Sequence, residues 1–131
     1  MLEKYNAIRR AAREIRIGGV AIGGQNPIAV QSMTNTDTLD IAATTAQVRA
    51  LADAGCDIVR ITAPTVEAAK TFAAVKEAGI TVPLVADIHF DYRVALACVD
   101  AGVDKIRINP GNIGDDDRVK AVADACRTHH V

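Results

Sequence analysis

The sequence has few aromatic residues and almost no net charge. Tryptophan is absent, two tyrosines and two phenylalanines make up 3% of the 131 residues, and the formal net charge at pH 7 is −1. Because nucleic acids are bound through basic surfaces, and single strands also through stacked aromatic rings, this composition argues against nucleic acid as a partner. It argues equally against adsorption to anionic membranes. Any anion-binding site must therefore be local.

Cysteines and long apolar segments are also scarce. Cys56, Cys98 and Cys126 are scattered, with no Cys-x-x-Cys pair, which argues against a disulfide framework or a metal site and favours buried thiols. No apolar run approaches the length of a membrane span, and the N-terminus lacks the apolar region of a signal peptide. Together with 50% apolar and 24% charged residues, these features predict a soluble globular protein of the reducing cytoplasm.

The order of apolar and turn-forming segments predicts the architecture. After a basic lead-in over residues 1–12, two short strands around Gly18-Gly19 predict a β-hairpin at residues 13–26. A strand and a helix then alternate four times. The strands are predicted at 28–33, 57–62, 82–90 and 104–109, and the helices at 40–54, 64–78, 91–101 and about 115–129. Short loops and apolar strands predict a parallel sheet with right-handed crossovers.

An internal repeat supports this alternation of strands and helices. Residues 53–61 match residues 100–108 at an offset of 47, and both copies place a helix end, a glycine, a strand and an arginine in the same relation. Repeated units of this size suggest a TIM (β/α)8 barrel, which typically needs about 250 residues. Residues 1–131 are therefore predicted to be the N-terminal half of a barrel, its first four βα units, preceded by the hairpin.

The strand at residues 82–90 organises the predicted site, because it begins apolar and ends in Asp87 and His89. Side chains alternate across a strand, so these two residues share the face opposite Leu84, Ala86 and Ile88. The other strands show the same pattern, and their uniformly apolar faces should meet the helices. The opposite faces should then present, near the carboxyl-terminal mouth of the barrel, Gln31, Arg60, Thr62, Asp87, His89, Arg107 and Asn109.

Two arginines and a histidine at the partly desolvated mouth of the barrel need a counter-charge. Asp87 can offset one, and a bound anion would offset the rest. Because the arginine fork donates two hydrogen bonds at once, the pattern favours a phosphate or diphosphate ligand. The alternative is an internal salt-bridge cluster of Asp87 with the arginines. His89 is open to three interpretations, namely a cationic ligand, a general acid or a neutral hydrogen-bonded side chain.

The segments after the last strand also carry polar residues. Asn109 to Asn112 form a loop at the same mouth, where Asn112 could reach a substrate or cap the last helix. Asp115 to Asp117 are predicted to favour the start of that helix through its dipole. His129 and His130 indicate a solvated helix end rather than a metal site.

Four segments carry a family resemblance. Residues 27–36 (PIAVQSMTNT), 57–60 (DIVR), 85–93 (VADIHFDYR) and 107–114 (RINPGNIG) closely resemble the 4-hydroxy-3-methylbut-2-enyl diphosphate synthases of the non-mevalonate isoprenoid pathway. The resemblance extends over essentially the whole chain after about residue 9. Several of the matching segments run to eight or ten residues, so the signal is specific.

The resemblance implies an N-terminal barrel and a C-terminal domain that carries a [4Fe–4S] cluster. Such an enzyme reductively opens 2-C-methyl-D-erythritol 2,4-cyclodiphosphate with two electrons from ferredoxin or flavodoxin. It acts as a homodimer, in which the cluster of a partner subunit closes over the barrel mouth. The implied diphosphate ligands are Arg60, His89 and Arg107, and Asp87, Asn109 and Asn112 match polar positions that line the site. Gln31 completes the predicted substrate-binding set.

The sequence also departs from that family. The basic and asparagine ligands of the later strands are absent, and so are the three cysteines and the glutamate that hold the cluster. The chain alone is therefore expected to bind no cluster, to catalyse nothing and, with two open sheet edges, to dimerise, aggregate or be marginally stable. Two alternatives remain, namely a dihydropteroate synthase-like barrel and a free-standing half-barrel that binds a phosphometabolite.

Overall fold

A computed structural model describes residues 10–131, so most of the basic lead-in lies outside the described residues. The strands are β1 (Ile15–Ile17), β2 (Val20–Ile22), β3 (Gln31–Met33), β4 (Ile58–Thr62), β5 (Leu84–Ile88) and β6 (Lys105–Ile108). The helices are α1 (Ile41–Asp53), α2 (Ala69–Glu77), α3 (Tyr92–Asp100), α4 (Pro110–Ile113) and α5 (Asp116–His129), with a 3-10 turn at Val66–Ala68 before α2. None of the described helices is long and apolar enough to cross a membrane.

The predicted parallel sheet is confirmed, with the strand order β3-β4-β5-β6. Its pairing aligns Arg60 with Met33 on one side and with Val85 on the other, and it aligns Asp87 with Thr62 and Arg107. The predicted alternation of faces also holds for β4, β5 and β6. The buried core between sheet and helices includes Val59, Ile61, Leu84, Ala86 and Ile88 from the strands, and Val48, Phe72, Val94 and Val122 from the helices.

The hairpin forms as predicted and covers the amino-terminal end of the sheet. Strands β1 and β2 pair antiparallel, with Ile17 opposite Val20 across Gly18-Gly19. Ile17 is buried against Ile58 and Val85, which lie on the sheet face that points away from the helices. The hairpin thus seals that face at the start of the strands and leaves its carboxyl-terminal end open.

Helix boundaries follow local chemistry. Asp40, Asp91 and Asp115 each accept a hydrogen bond from a backbone N–H of the first turn. Helices α1, α2 and α3 are each followed by a glycine with positive φ, and these are the predicted stops Gly55, Gly79 and Gly102. The helix expected from Pro64 begins later, because Thr65 caps a 3-10 turn and the α-helical hydrogen bonds start only at Ala69.

The first strand of the sheet differs most from prediction. It spans Gln31–Met33 rather than 28–33, and the apolar side chains expected against a helix are exposed, at 87% for Ile28 and 56% for Val30. Because β3 is an edge strand within residues 10–131, no described element covers these side chains. The strand expected to reach Phe90 also ends early, at Ile88.

The internal repeat has a structural counterpart in two aspartates. The carboxylate of Asp57 accepts a hydrogen bond from the backbone N–H of Val30 at 2.8 Å, while its own N–H donates to the Val30 carbonyl at 2.8 Å. Asp104, 47 residues later, does the same with Leu84, at 2.8 Å and 3.0 Å. In each repeat, the residue before a strand is therefore hydrogen-bonded to a residue at or just before the start of the preceding strand.

Candidate functional site

The carboxyl-terminal ends of β4, β5 and β6 bring Arg60, Asp87 and Arg107 together. Asp87 and Arg107 are paired in register, and Arg60 lies two residues before Thr62, the partner of Asp87 on the other side. The strands are parallel, so all three side chains lie near the carboxyl-terminal end of the sheet, on the same face. The alternation of side chains along the predicted strands therefore placed these three residues together correctly.

Asp87 is the buried centre of the cluster. Its side chain is 1% exposed. Its Oδ2 atom accepts hydrogen bonds from Arg60 Nε at 2.9 Å and from Arg60 Nη2, and its Oδ1 atom accepts one from Arg107 Nη1 at 3.0 Å. One carboxylate thus holds two guanidinium groups, as the salt-bridge interpretation of the sequence required.

The two arginines are partly exposed and keep donors that Asp87 does not use. Arg60 and Arg107 side chains are 28% and 39% exposed, and each guanidinium has five N–H donors, of which Asp87 takes two and one. Two guanidinium groups around one carboxylate leave an excess of one positive charge, which an anion would neutralise.

His89 lies at the rim of this cluster rather than inside it. It follows the last residue of β5, its side chain is 46% exposed, and Nε2 is 3.9 Å from Asp87 Oδ2. That separation is too long for a hydrogen bond. Next to it, Asp91 caps α3, and hydrogen bonds from the side chain and backbone N–H of Arg93 lower the pKa of the Asp91 carboxyl below its usual range.

The asparagines of the loop after β6 differ in their roles. The Oδ1 atom of Asn109 accepts a hydrogen bond from the Gly111 N–H at 3.0 Å and so caps α4. Asn112 is exposed on that short helix. The suggestion that Asn112 caps the last helix was wrong, because Asp115 takes that position, with Asp116 and Asp117 in the first turn as the dipole argument expected.

Gln31 is not near the mouth, so its predicted position was wrong. It is the first residue of β3 and pairs with Ile58, the first residue of β4. Parity alone places it on the correct face but says nothing about its height along the barrel axis. The register puts it at the amino-terminal end of the sheet, two residues before the level of Arg60.

Sequence reasoning missed the threonines that fix the loop between β3 and α1. Thr38 is 5% exposed, and its hydroxyl donates to the Thr62 carbonyl at 2.7 Å. The Thr71 hydroxyl in turn donates to the Thr38 carbonyl at 2.7 Å. The run of threonines around this loop was the available signal, but the partners, 24 and 33 residues apart, could not be identified from it.

The described residues do not fit an iron–sulfur cluster. They contain no group of three or more histidine, cysteine or acidic side chains that could hold a metal ion. Cys98 is fully buried in the core, and burial raises the pKa of its thiol to about 12, which opposes the thiolate form that binds metal. Burial also raises the pKa of Cys126.

A parallel α/β sheet that is sealed at one end by a hairpin and carries a basic site at the carboxyl ends of its strands has the organisation of a TIM-barrel protein. The particular family follows from comparison with known sequences. A family model described as the GcpE TIM-barrel domain matches residues 12–131, and the chain belongs to that family.

Curated relatives agree with this assignment. The chain is 60% identical to a Pseudomonas aeruginosa protein over 124 residues, and 58% identical to a Pseudoalteromonas translucida protein over 123 residues. Both are named 4-hydroxy-3-methylbut-2-en-1-yl diphosphate synthase (flavodoxin). The alignments cover 95% and 94% of this chain but 33% of each relative, so the chain spans about a third of their length.

A solved structure supports the fold. The chain is similar to Xanthomonas albilineans dihydropteroate synthase in complex with indole-2-carboxylic acid and 6-chloroguanine, with a TM-score of 0.64. The match covers 86% of this chain and 46% of that one, at 22% sequence identity. At this identity the similarity concerns the barrel architecture alone.

Proposed function

We propose that this chain is the part of a 4-hydroxy-3-methylbut-2-enyl diphosphate synthase that grips the diphosphate of 2-C-methyl-D-erythritol 2,4-cyclodiphosphate. The observation that carries the proposal is the pair of guanidinium groups, Arg60 and Arg107, at the mouth of the sheet. Both have donors left over after binding Asp87, and both side chains are partly exposed to solvent. Planar forks of this kind bind phosphate oxygens in pairs.

The neighbouring polar residues have secondary places in the proposal. His89, 46% exposed at the rim, is close enough to the cluster to contact the same ligand. Asn109 and Asn112 lie on the loop that follows Arg107, where an amide could contact the rest of the substrate. Gln31 is left out of the proposed site, because it pairs with Ile58 at the amino-terminal end of the sheet.

The remainder of the proposal concerns the whole protein. Residues 1–131 are the N-terminal half of a TIM barrel, four of its eight βα units, with the hairpin of residues 13–26 at its base. The reductive ring opening requires a [4Fe–4S] cluster, which the C-terminal domain of the family enzyme would hold. In this proposal, flavodoxin or ferredoxin donates the electrons, and the enzyme is a cytoplasmic homodimer. The intact mass of the protein from its native source tests whether the native product is longer than residues 1–131.

Two alanine variants test the anion site. In the protein as its source makes it, Arg60→Ala and Arg107→Ala should each weaken binding of the cyclodiphosphate about ten- to a hundredfold in a calorimetric titration, as expected for lost charge-assisted hydrogen bonds. Arg127→Ala is the matched control, because that side chain is 81% exposed on α5. Unchanged affinity in both variants, or no binding by the parent, would contradict the proposal.

A further inference from the structure

Asp87 has no capacity to contact a bound anion. Its side chain is 1% exposed, and both of its oxygens accept hydrogen bonds from guanidinium groups. A carboxylate facing a diphosphate directly would also repel it. The polar residue at the centre of the site therefore acts through its neighbours.

The neighbours of Asp87 are two long side chains from different strands. An arginine on its own samples many rotamers, and a ligand that binds it must immobilise it. Here Asp87 Oδ2 binds the Nε edge of Arg60, while Oδ1 binds Nη1 of Arg107 at 3.0 Å. The backbone of Asp87 is fixed too, since its carbonyl accepts the Ala63 N–H at 3.0 Å. Both guanidinium groups are thus held in place before any ligand arrives.

We infer that Asp87 is a positioning residue that orients Arg60 and Arg107 for a diphosphate, an inference that rests on the proposed function. It makes a prediction opposite to that of simple electrostatics. Replacing Asp87 by asparagine adds one positive charge to the site, which by charge alone would tighten anion binding. If orientation matters more, the same change weakens binding. Arg60 and Arg107 use different oxygens of Asp87, and in asparagine one of these positions becomes an NH2 group, which donates and cannot accept from an arginine.

The probe is inorganic pyrophosphate, titrated by calorimetry into the native protein at constant ionic strength. Asp87→Asn should weaken binding at least about tenfold, the lower end of what is lost when a carboxylate that orients ligands is removed from a metal site. Asp100→Asn is the matched control for charge, because its side chain is 74% exposed at the end of α3, and its affinity should equal that of the parent. All titrations are made well below the melting temperature of each variant, so that lost stability alone leaves the affinity unchanged.

The outcomes separate this inference from the proposed function. If the parent and Asp87→Asn bind pyrophosphate equally, or the variant binds more tightly, while Arg60→Ala loses binding, the positioning role is refuted and the anion site stands. If the parent does not bind pyrophosphate, both are refuted. Should Asp87→Asn fail to fold, nuclear magnetic resonance of the ligand-free parent decides. A slowly exchanging Nε–H signal that disappears in Arg60→Lys supports positioning, and its absence overturns it.

Discussion

Replacing Asp104 by alanine should destabilise the fold more than the same change at its repeat partner, Asp57. Both carboxylates accept a hydrogen bond from a backbone N–H of the preceding strand at 2.8 Å, so the lost contact has the same geometry. The two donors differ in their surroundings. Leu84 is 0% exposed in the core, whereas Val30 is 56% exposed at the sheet edge. Water can replace the carboxylate at Val30 but has little access to Leu84.

The burial of the donors sets the expected magnitudes. A buried N–H left without its charged acceptor costs about 1.5–3 kcal/mol, so Asp104→Ala should lower the free energy of unfolding by that amount. Asp104 also pairs with Lys76 at 2.8 Å, but with the lysine side chain 35% exposed this contact contributes less than about 1 kcal/mol. Asp57→Ala replaces an exposed hydrogen bond by one to water and should lower the free energy by about 0.5–1 kcal/mol.

Urea unfolding at pH 7, followed by circular dichroism, measures both changes. Lys76→Met is the control that separates the ion pair from the backbone hydrogen bond, and it should resemble Asp57→Ala rather than Asp104→Ala. An equal loss in the two aspartate variants, or a larger loss for Asp57→Ala, would refute the argument that donor burial decides the value of this contact. A loss in Lys76→Met as large as that in Asp104→Ala would assign the effect to the ion pair.

Three further changes have expected outcomes. Gly23→Ala should lower the melting temperature measurably, because φ is +80° and an added Cβ would lie 2.2 Å from the Arg13 carbonyl oxygen, whereas Gly19→Ala, with nothing within 4 Å of its Cβ, should change little. Mass spectrometry should show that iodoacetamide alkylates Cys98 only at the rate of unfolding, and labelling as fast as that of half-buried Cys56 would contradict this. Because burial raises the pKa of the Cys98 thiol from 9.0 to about 12, the free energy of unfolding should also fall as pH rises through that interval. Asp91→Asn keeps a cap oxygen but loses the ion pair with Arg93, which lowers the pKa of Asp91 below 3.8. The variant should therefore be slightly less stable than the parent at pH 7 in thermal melts, with the difference vanishing as pH falls through the lowered pKa; a difference that persists in acid would contradict the assignment.

The parts of the fold that depend on local sequence could be predicted. Period-two alternation fixed which strand residues face the helices, and the glycines after α1, α2 and α3 marked their ends because each adopts a positive φ. The exposure of Ile28 and Val30 could not be predicted in this way, since an apolar pattern does not say whether a covering element is present. The early end of β5 was missed for a similar reason, because His89 continues the alternation after the ladder has stopped.

The site was predictable to the level of a face, not of a contact. Parity placed Arg60, Asp87 and Arg107 together, and the hydrogen bonds agree. Gln31 lies on the same sheet face as these residues but not at the same level along the strands. That level depends on inter-strand register and therefore on pairing between distant segments. The cluster of Asp87 with both arginines was one of the interpretations that the sequence left open, and the hydrogen bonds show that it forms.

The arrangement around Asp87 is difficult to explain by stability alone. The same sheet face is apolar nearer the hairpin, where Ile17, Ile58 and Val85 pack together. Buried ion pairs are often no more stabilising than well-packed hydrophobic residues of similar volume, because the charges must first be desolvated. Stability alone therefore gives no reason for a charged cluster, rather than further apolar side chains, at the mouth. Two arginines around one buried carboxylate, with the positive charge in excess, instead favour a site whose missing counter-charge arrives with the ligand.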